Sequence, residues 1–186
     1  MVKKIHGAGS QVISQEQVNF PVSDLTSYQE LIEQQGLKSQ TNIISLDKII
    51  VDIILSEKTG FSRSQQVWCL VWCLIRQRIV DGCASVVDID YLDVRLMPQL
   101  NRNIAENSIY DYLENQLHLS ISHAFKEITI DNTSEQDKIL IDIGKDHHVV
   151  CIRSKVYLNN GNQFQFTESR HKLEKFKFVY YAKRHH

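Results

Sequence analysis

The chain is poor in proline, with only Pro21 and Pro98 among 186 residues, and it contains no repeat or low-complexity segment. Nothing in it therefore marks a proline-rich spacer or a disordered tract. It has no excess of charge: 21 Lys+Arg oppose 22 Asp+Glu. That balance argues against a bulk field for nucleic acid or an anionic membrane, so any anion site is local. Long hydrophobic runs are missing too. The longest, VWCLVWCLI from Val67 to Ile75, is too short to cross a bilayer, and the start MVKKIHGAGS lacks the apolar core of a signal peptide. The four cysteines, Cys69, Cys73, Cys83 and Cys151, form no CxxC and no paired metal spacing. They read as reduced thiols of a cytoplasmic protein. His118, His123, His147, His148 and His171 lack metal-ligand spacing and read as solvated, and His185-His186 are given no functional weight. There is no GxSxG, Walker loop, HExxH or nucleophile beside a base. No metal, cofactor or catalytic residue is expected; the candidates are binders.

What is present is periodic. Ser14 to Val18 is polar and reads as a linker, and Thr26 or Ser27 caps a short amphipathic helix, YQELIEQQG, stopped at Gly36. Thr41 to Ile50 has β-character, with a helical turn or two expected before Gly60. Gln66 to Val80 and Cys83 to Tyr91 read as strands around Asp81-Gly82. Asn107 to Leu117 is expected as a helix, Ser120 to Ile130 as a strand, and Thr133 to Ile143 opens with a helix-start signature. His148 to Leu158 and Gln163 to Arg170 flank the turn Asn159-Asn160-Gly161, and Phe176 to Ala182 ends as a strand. Long strands joined by hairpins, with short helices between, predict an α+β domain built on an antiparallel sheet.

Three groups of residues bear on function. Arg76 and Arg78 are two apart on a strand and so share a face. They are either surface arginines paired with Asp88 or Asp90, or a clamp for phosphate, whose oxygens match planar guanidinium forks. A two-residue loop would pair Arg76 with Val87 and send Asp88 to the opposite face. A three-residue loop would pair Arg78 with Ala84 and bring Arg76, Arg78 and Asp88 together. Periodicity leaves both open. In ENSIYDYLE, Asn107 or Ser108 caps a helix, with Ser108 and Asp111 approximating a capping box; the same helix start, with the Ser108 and Tyr110 hydroxyls, also suits an anion. DLTSY, Asp24 to Tyr28, is a second helix start of this type. In QFQFTESRH, Gln165, Thr167 and Ser169 share one face and Phe164, Phe166 and Glu168 the other: plain amphipathicity, or a polar ladder for sugar hydroxyls.

Read together, FPVSDLTSYQEL, the RQR with its following DG, ENSIYDYLENQLHLSIS and TESRHKLEKFKFVYYAKR resemble the effector-binding domain of GntR-family repressors of the HutC type. This is the UTRA (UbiC transcription regulator-associated) domain, and the likeness is to its trehalose branch. It runs from about Phe20 to Arg184. KKIHGAGSQV is similar to the last wing of a winged helix-turn-helix, so residues 1–18 are expected as a remnant of wing and linker and 19–186 as the effector-binding domain. The recognition helix is missing, and operator DNA is expected to be met only through a DNA-binding domain that precedes this chain.

The resemblance implies a chorismate-lyase-like fold, a homodimer, and a sugar phosphate as effector, trehalose 6-phosphate for this branch. It implies Arg76, Arg78, Ser108, Tyr110 and the loop Leu25, Thr26 and Ser27 as phosphate-binding residues, and Asp88, Gln165, Thr167 and His171 as sugar-binding ones. Asp88 stands where many relatives carry Glu to hold a sugar hydroxyl, Gln165 where amino-sugar-phosphate sensors carry Glu, and His171 where they carry Tyr, departures that argue against an amino-sugar ligand. The expected role is induction: effector binding orders the Leu25 to Ser27 loop and alters the spacing of the DNA-binding domains. Two rivals are an enzyme on the same fold, with Asp88 and His171 as acid and base, and a purely dimerising module.

Overall fold

The alternating strands assemble into one dominant sheet. A computed structural model describes residues 2–5, 9–12, 18–19, 25–27, 30, 33–34, 40–75 and 84–178. Three short strands open the chain: β1 (Val2–Ile5), β2 (Gly9–Val12) and β3 (Val18–Asn19). Then come β4 (Gln40–Ile50), helix α1 (Ile53–Thr59), β5 (Gln66–Ile75) and β6 (Ala84–Asp93). Helix α2 (Arg102–Glu106) and the turn α3 (Ile109–Asp111), which widens into a π-helical turn at Tyr112–Gln116, precede β7 (Ile121–Asn132). Helix α4 (Glu135–Leu140), β8 (His148–Leu158), β9 (Gln163–Lys172), a 3-10 turn at Leu173–Lys175 and β10 (Phe176–Lys177) complete the order.

β1 and β2 form an antiparallel hairpin, β3 and β10 a parallel pair, and the other six strands a sheet in the order β4-β5-β6-β9-β8-β7. Every neighbouring pair in that sheet is antiparallel. It is two three-stranded meanders, β4-β5-β6 and β7-β8-β9, joined where β6 meets β9. Local hairpins build each half. The β8–β9 turn puts Gly161 at φ 81°, where a side chain would be strained, and Leu158 N–H donates to Asn162 O at 2.9 Å.

Both faces of the sheet are covered. On one, α2, α3 and the π-helical turn lay Ala105, Ile109, Tyr112 and Leu113 against Ile43, Leu92, Val156 and Phe164. Trp68 Nε1 ties its strand to this layer by donating to Met97 O at 2.8 Å. The other face carries two smaller clusters. Val87 and Val149 pack with Ile141 and Ile143, while Val67 and Phe166 pack with Val51, Phe61 and partly Leu55 of α1. Burying each such aliphatic or aromatic side chain stabilises the fold by about 1.5–3 kcal/mol.

Several expectations change. The helix expected at Asn107–Leu117 is present over residues 109–116 behind a Ser108 cap, with its second part π-helical, and a separate short helix, α2, which the sequence reading lacked, precedes it and ends at Asn107 with φ −87° and ψ −104°. Asn101 and Ser108 each cap their own segment by accepting an amide N–H. Neither expected β5–β6 register occurs. Ile75 faces Ala84 and Leu74 faces Val86, a slip of two residues from the three-residue-loop register, with a bulge between. Even-numbered residues of β5 still face even-numbered residues of β6, so Trp72 is opposite Asp88. Phe164, expected beside Phe166, packs in the opposite cluster, because the β8–β9 register shifts between Val156 and Tyr157. His171, expected to be solvated, is 1% exposed.

Candidate functional site

The β6–β9 seam aligns two polar rows on the face covered by α2 and α3. Val86, Asp88, Asp90 and Leu92 lie opposite His171, Ser169, Thr167 and Gln165 respectively. Alternation sends all eight side chains to one side of the sheet. Asp88, Asp90, Gln165 and His171 are all buried. Burying this many polar groups is costly unless they bond one another, and here they do.

Two small networks result. The Ser169 hydroxyl donates to Asp88 Oδ1, and Ser169 Oγ lies 2.9 Å from His171 Nε2. The His171 ring packs against Phe176, at 5.3 Å between centroids. Higher up the seam, Asp90 Oδ1 accepts from Gln165 Nε2 at 2.7 Å and from Thr167 Oγ1 at 2.5 Å. Burial pushes the Asp88 carboxyl up to about 7, the Asp90 charge adds to this, and the Ser169 hydrogen bond works against it. Near neutral pH the Asp88 position is thus poised between donor and acceptor.

Tyr110 reaches the same seam from α3. Its ring meets Phe164 edge-on at 6.0 Å. Burial first, then the charges of Asp90, Glu30 and Glu114, push its hydroxyl well above the usual phenol range, so it stays protonated. Ser108 caps the turn that presents Tyr110, its Oγ accepting from Asp111 N–H at 3.2 Å. Leu25 packs against the same apolar cluster. Ser27 and Glu30 bond reciprocally: Ser27 N–H donates to Glu30 Oε2 at 2.7 Å and Glu30 N–H to Ser27 Oγ at 3.2 Å, which identifies Ser27 as the cap of its helix start. Thr26 lies between them, half-buried.

Of the residues singled out in the sequence, Asp88, Gln165, Thr167, His171, Tyr110 and Leu25 thus share one face, with Ser108, Thr26 and Ser27 on the segments that present it. Arg76 and Arg78 lie outside the described residues. Asp90, which sequence reading treated only as a possible partner of the arginines, bridges Gln165 and Thr167; its even spacing from Asp88 was the available signal. Asp88 and His171, the acid and base of the enzyme reading, both contact Ser169 Oγ.

The reverse side of β9 holds a second polar system that sequence reading missed. Arg170 Nε and Nη2 donate to the two oxygens of Asp137 at 2.8 Å each, and Nη2 also to Asn132 O at 3.0 Å. Arg153 Nε donates to Glu168 Oε2 at 3.0 Å, Arg153 pairs with Asp131, and Lys58 of α1 reaches Glu168 at 2.8 Å. Strands β7, β8 and β9 and helices α1 and α4 are pinned together through these charges.

Comparison with known proteins follows this architecture. The UTRA domain family matches residues 34–177. The HTH-type transcriptional regulator TreR of Bacillus subtilis (strain 168) is 37% identical over 183 residues, covering 98% of this chain and 75% of that protein. The mannosyl-D-glycerate transport/metabolism system repressor MngR of Escherichia coli (strain K12) is 22% identical over 184 residues, 99% of this chain and 75% of its own length. The structure of the B. subtilis trehalose repressor (TreR) effector binding domain superposes with a TM-score of 0.69 at 33% identity, over 79% of this chain and 99% of that one. The crystal structure described as that of a "possible transcriptional regulator YydK" from B. subtilis, at 18% identity and a TM-score of 0.74, matches over 98% of this chain and 76% of that one and shares the fold. The antiparallel α+β sheet is thus of the chorismate-lyase-like type, and the chain belongs to the UTRA domain family.

Proposed function

We propose that this chain is the ligand-sensing and dimerisation domain of a cytoplasmic repressor of trehalose utilisation, with trehalose 6-phosphate as inducer and no catalytic activity. The observation that supports this best is the row of hydroxyl, amide and carboxyl groups along the β6–β9 seam, set in a chain so similar to a trehalose regulator. Sugar rings present many hydroxyls in fixed directions, and a rigid strand pair is suited to meet them. In this reading Asp88, Gln165, Thr167 and His171 take the sugar. Arg76 and Arg78, with Ser108, Tyr110 and the Leu25–Ser27 loop, take the phosphate dianion, for which paired guanidiniums suit better than single charges.

Residues 1–18 would be the last wing and linker of a DNA-binding domain, a role to which the β1–β2 hairpin lends itself. Induction requires that effector bind one arrangement of the dimer more tightly than the other. The Leu25–Ser27 segment connects the two, since it packs on the sensing face and follows the linker. Titration calorimetry with trehalose 6-phosphate tests the proposal. A charge-assisted contact is worth about 1.5–3 kcal/mol, so Arg76→Ala or Arg78→Ala should weaken binding by about tenfold or more. Unchanged affinity in both variants refutes the clamp.

A further inference from the structure

Gln165 raises a question that the effector reading leaves open. Its side chain is buried, its Nε2 donates to Asp90, and its Oε1 has no hydrogen-bond partner among the described residues. A buried acceptor left unsatisfied is costly and uncommon in a native fold. The amide does not relieve this by reversing, since Oε1 would then face Asp90 Oδ1, an oxygen that already accepts from Thr167 Oγ1. Its cross-strand neighbours give no help either: Leu92 on β6 and Val156 on β8 are buried aliphatics without a donor. Thr167 is in a similar position. It has one hydroxyl hydrogen, and that is directed at Asp90 Oδ1. Asp90 therefore takes the hydrogens of both neighbours and leaves their oxygens for whatever lies above the sheet.

We propose that Asp90 is the positioning residue of the sugar subsite, holding Gln165 and Thr167 so that each turns an acceptor toward the ligand, and that the subsite thereby selects polyols by hydroxyl hydrogens they donate. The inference rests on the effector reading above and adds to it a direction: the ligand donates here, the protein accepts. An ether oxygen or a fluorine in place of the hydroxyl leaves Gln165 Oε1 unsatisfied and is rejected. Tyr110 of α3 packs on Phe164, the chain neighbour of Gln165, in the cluster that holds Leu92 and Val156, on the same face as the remaining candidate residues.

The test is a panel of trehalose 6-phosphate analogues, each with one hydroxyl of the unphosphorylated ring replaced by fluorine, which cannot donate. Binding is measured by calorimetry to the wild-type chain, Asp90→Asn and Gln165→Met, with a melting curve for each. In the wild type, one position should lose at least about tenfold in affinity. In Asp90→Asn the new amide can donate to Gln165 Oε1, letting that side chain reverse and offer Nε2. Discrimination at that position should then fall to within about threefold. Gln165→Met should lower the parent sugar to the level of its fluoro analogue and leave the analogue unchanged, which decides the matter where Asp90→Asn fails to fold. A wild type that binds trehalose 6-phosphate but treats every analogue like the parent, or variants that keep full discrimination, overturns the inference and leaves the effector reading standing. A wild type that does not bind trehalose 6-phosphate overturns the effector reading, and the inference with it.

Discussion

Replacing Arg170 by methionine should produce the largest single loss of stability among the buried polar groups. The guanidinium is 7% exposed and grips both oxygens of Asp137, itself 1% exposed, at 2.8 Å each. Methionine keeps most of the volume and removes every donor. Asp137, Glu168 and Asn132 O then lose a bonding partner in a dry site. Removing one partner of a buried pair costs about 3–5 kcal/mol. For a domain of this size that corresponds to a fall of roughly 6–20 °C in melting temperature. The loss must also depend on pH. Burial alone would push the Asp137 carboxyl up, but hydrogen bonds from Arg170 and Ser134 outweigh it and hold the carboxyl below its usual range. A lowered carboxylate contributes stability that is present above the unfolded-state value near 3.8 and lost as pH falls through the folded-state value. Without Arg170 only the Ser134 hydrogen bonds oppose burial, so the carboxyl should rise and its ionisation should become a penalty that grows as pH rises above its unfolded-state value. Urea unfolding of both chains from pH 7 down toward pH 4 should therefore show the gap narrowing. Adding Asp137→Leu should recover part of the loss at pH 7, since a well-packed apolar pair replaces a broken ionic one. A loss below about 1 kcal/mol at pH 7, or one that stays constant with pH, would refute the reasoning.

Asp88 should show the opposite linkage. Its carboxyl is raised to about 7, so its contribution is complete below the unfolded-state value and is lost as pH rises through about 7. Wild-type stability should fall between about pH 4 and 7 by up to roughly 1.4 kcal/mol per unit more than that of Asp88→Asn, and level off above, as read by urea unfolding. Ser134→Ala removes a complete capping box, in which Ser134 and Asp137 bond reciprocally. It should cost about 0.5–2 kcal/mol in the same assay, and a neutral result would show that α4 needs no cap.

Most of the strands were legible because they are long and bounded by strong signals. The alternation from Thr41 to Ile50, and the Asn159-Asn160-Gly161 turn between two β-rich runs, match β4 and the β8–β9 hairpin within a residue or two. Caps were legible for the same local reason. A serine before a helix binds an amide three residues on, as Ser27, Ser108 and Ser134 all do. The shared face of Gln165, Thr167 and Ser169 followed from period two alone, because a strand has no other way to arrange alternate residues.

What surrounds that face was settled only by tertiary structure. No local pattern says that β9 docks on β6, 75 residues from Asp90 to Gln165, yet this pairing makes Asp90 a hub and leaves Gln165 Oε1 without a partner among the described residues. Nor does composition distinguish a solvated charge from a buried one. The sequence reading assigned Arg170 and Asp137 no role, Glu168 only a face shared with Phe164 and Phe166, and His171 a solvated ring; all four are buried. Periodicity assigns each side chain to a face. Which neighbour it meets there depends on long-range register, and a slip or bulge such as those at Leu74 and Val156 changes that partner without changing a single local preference.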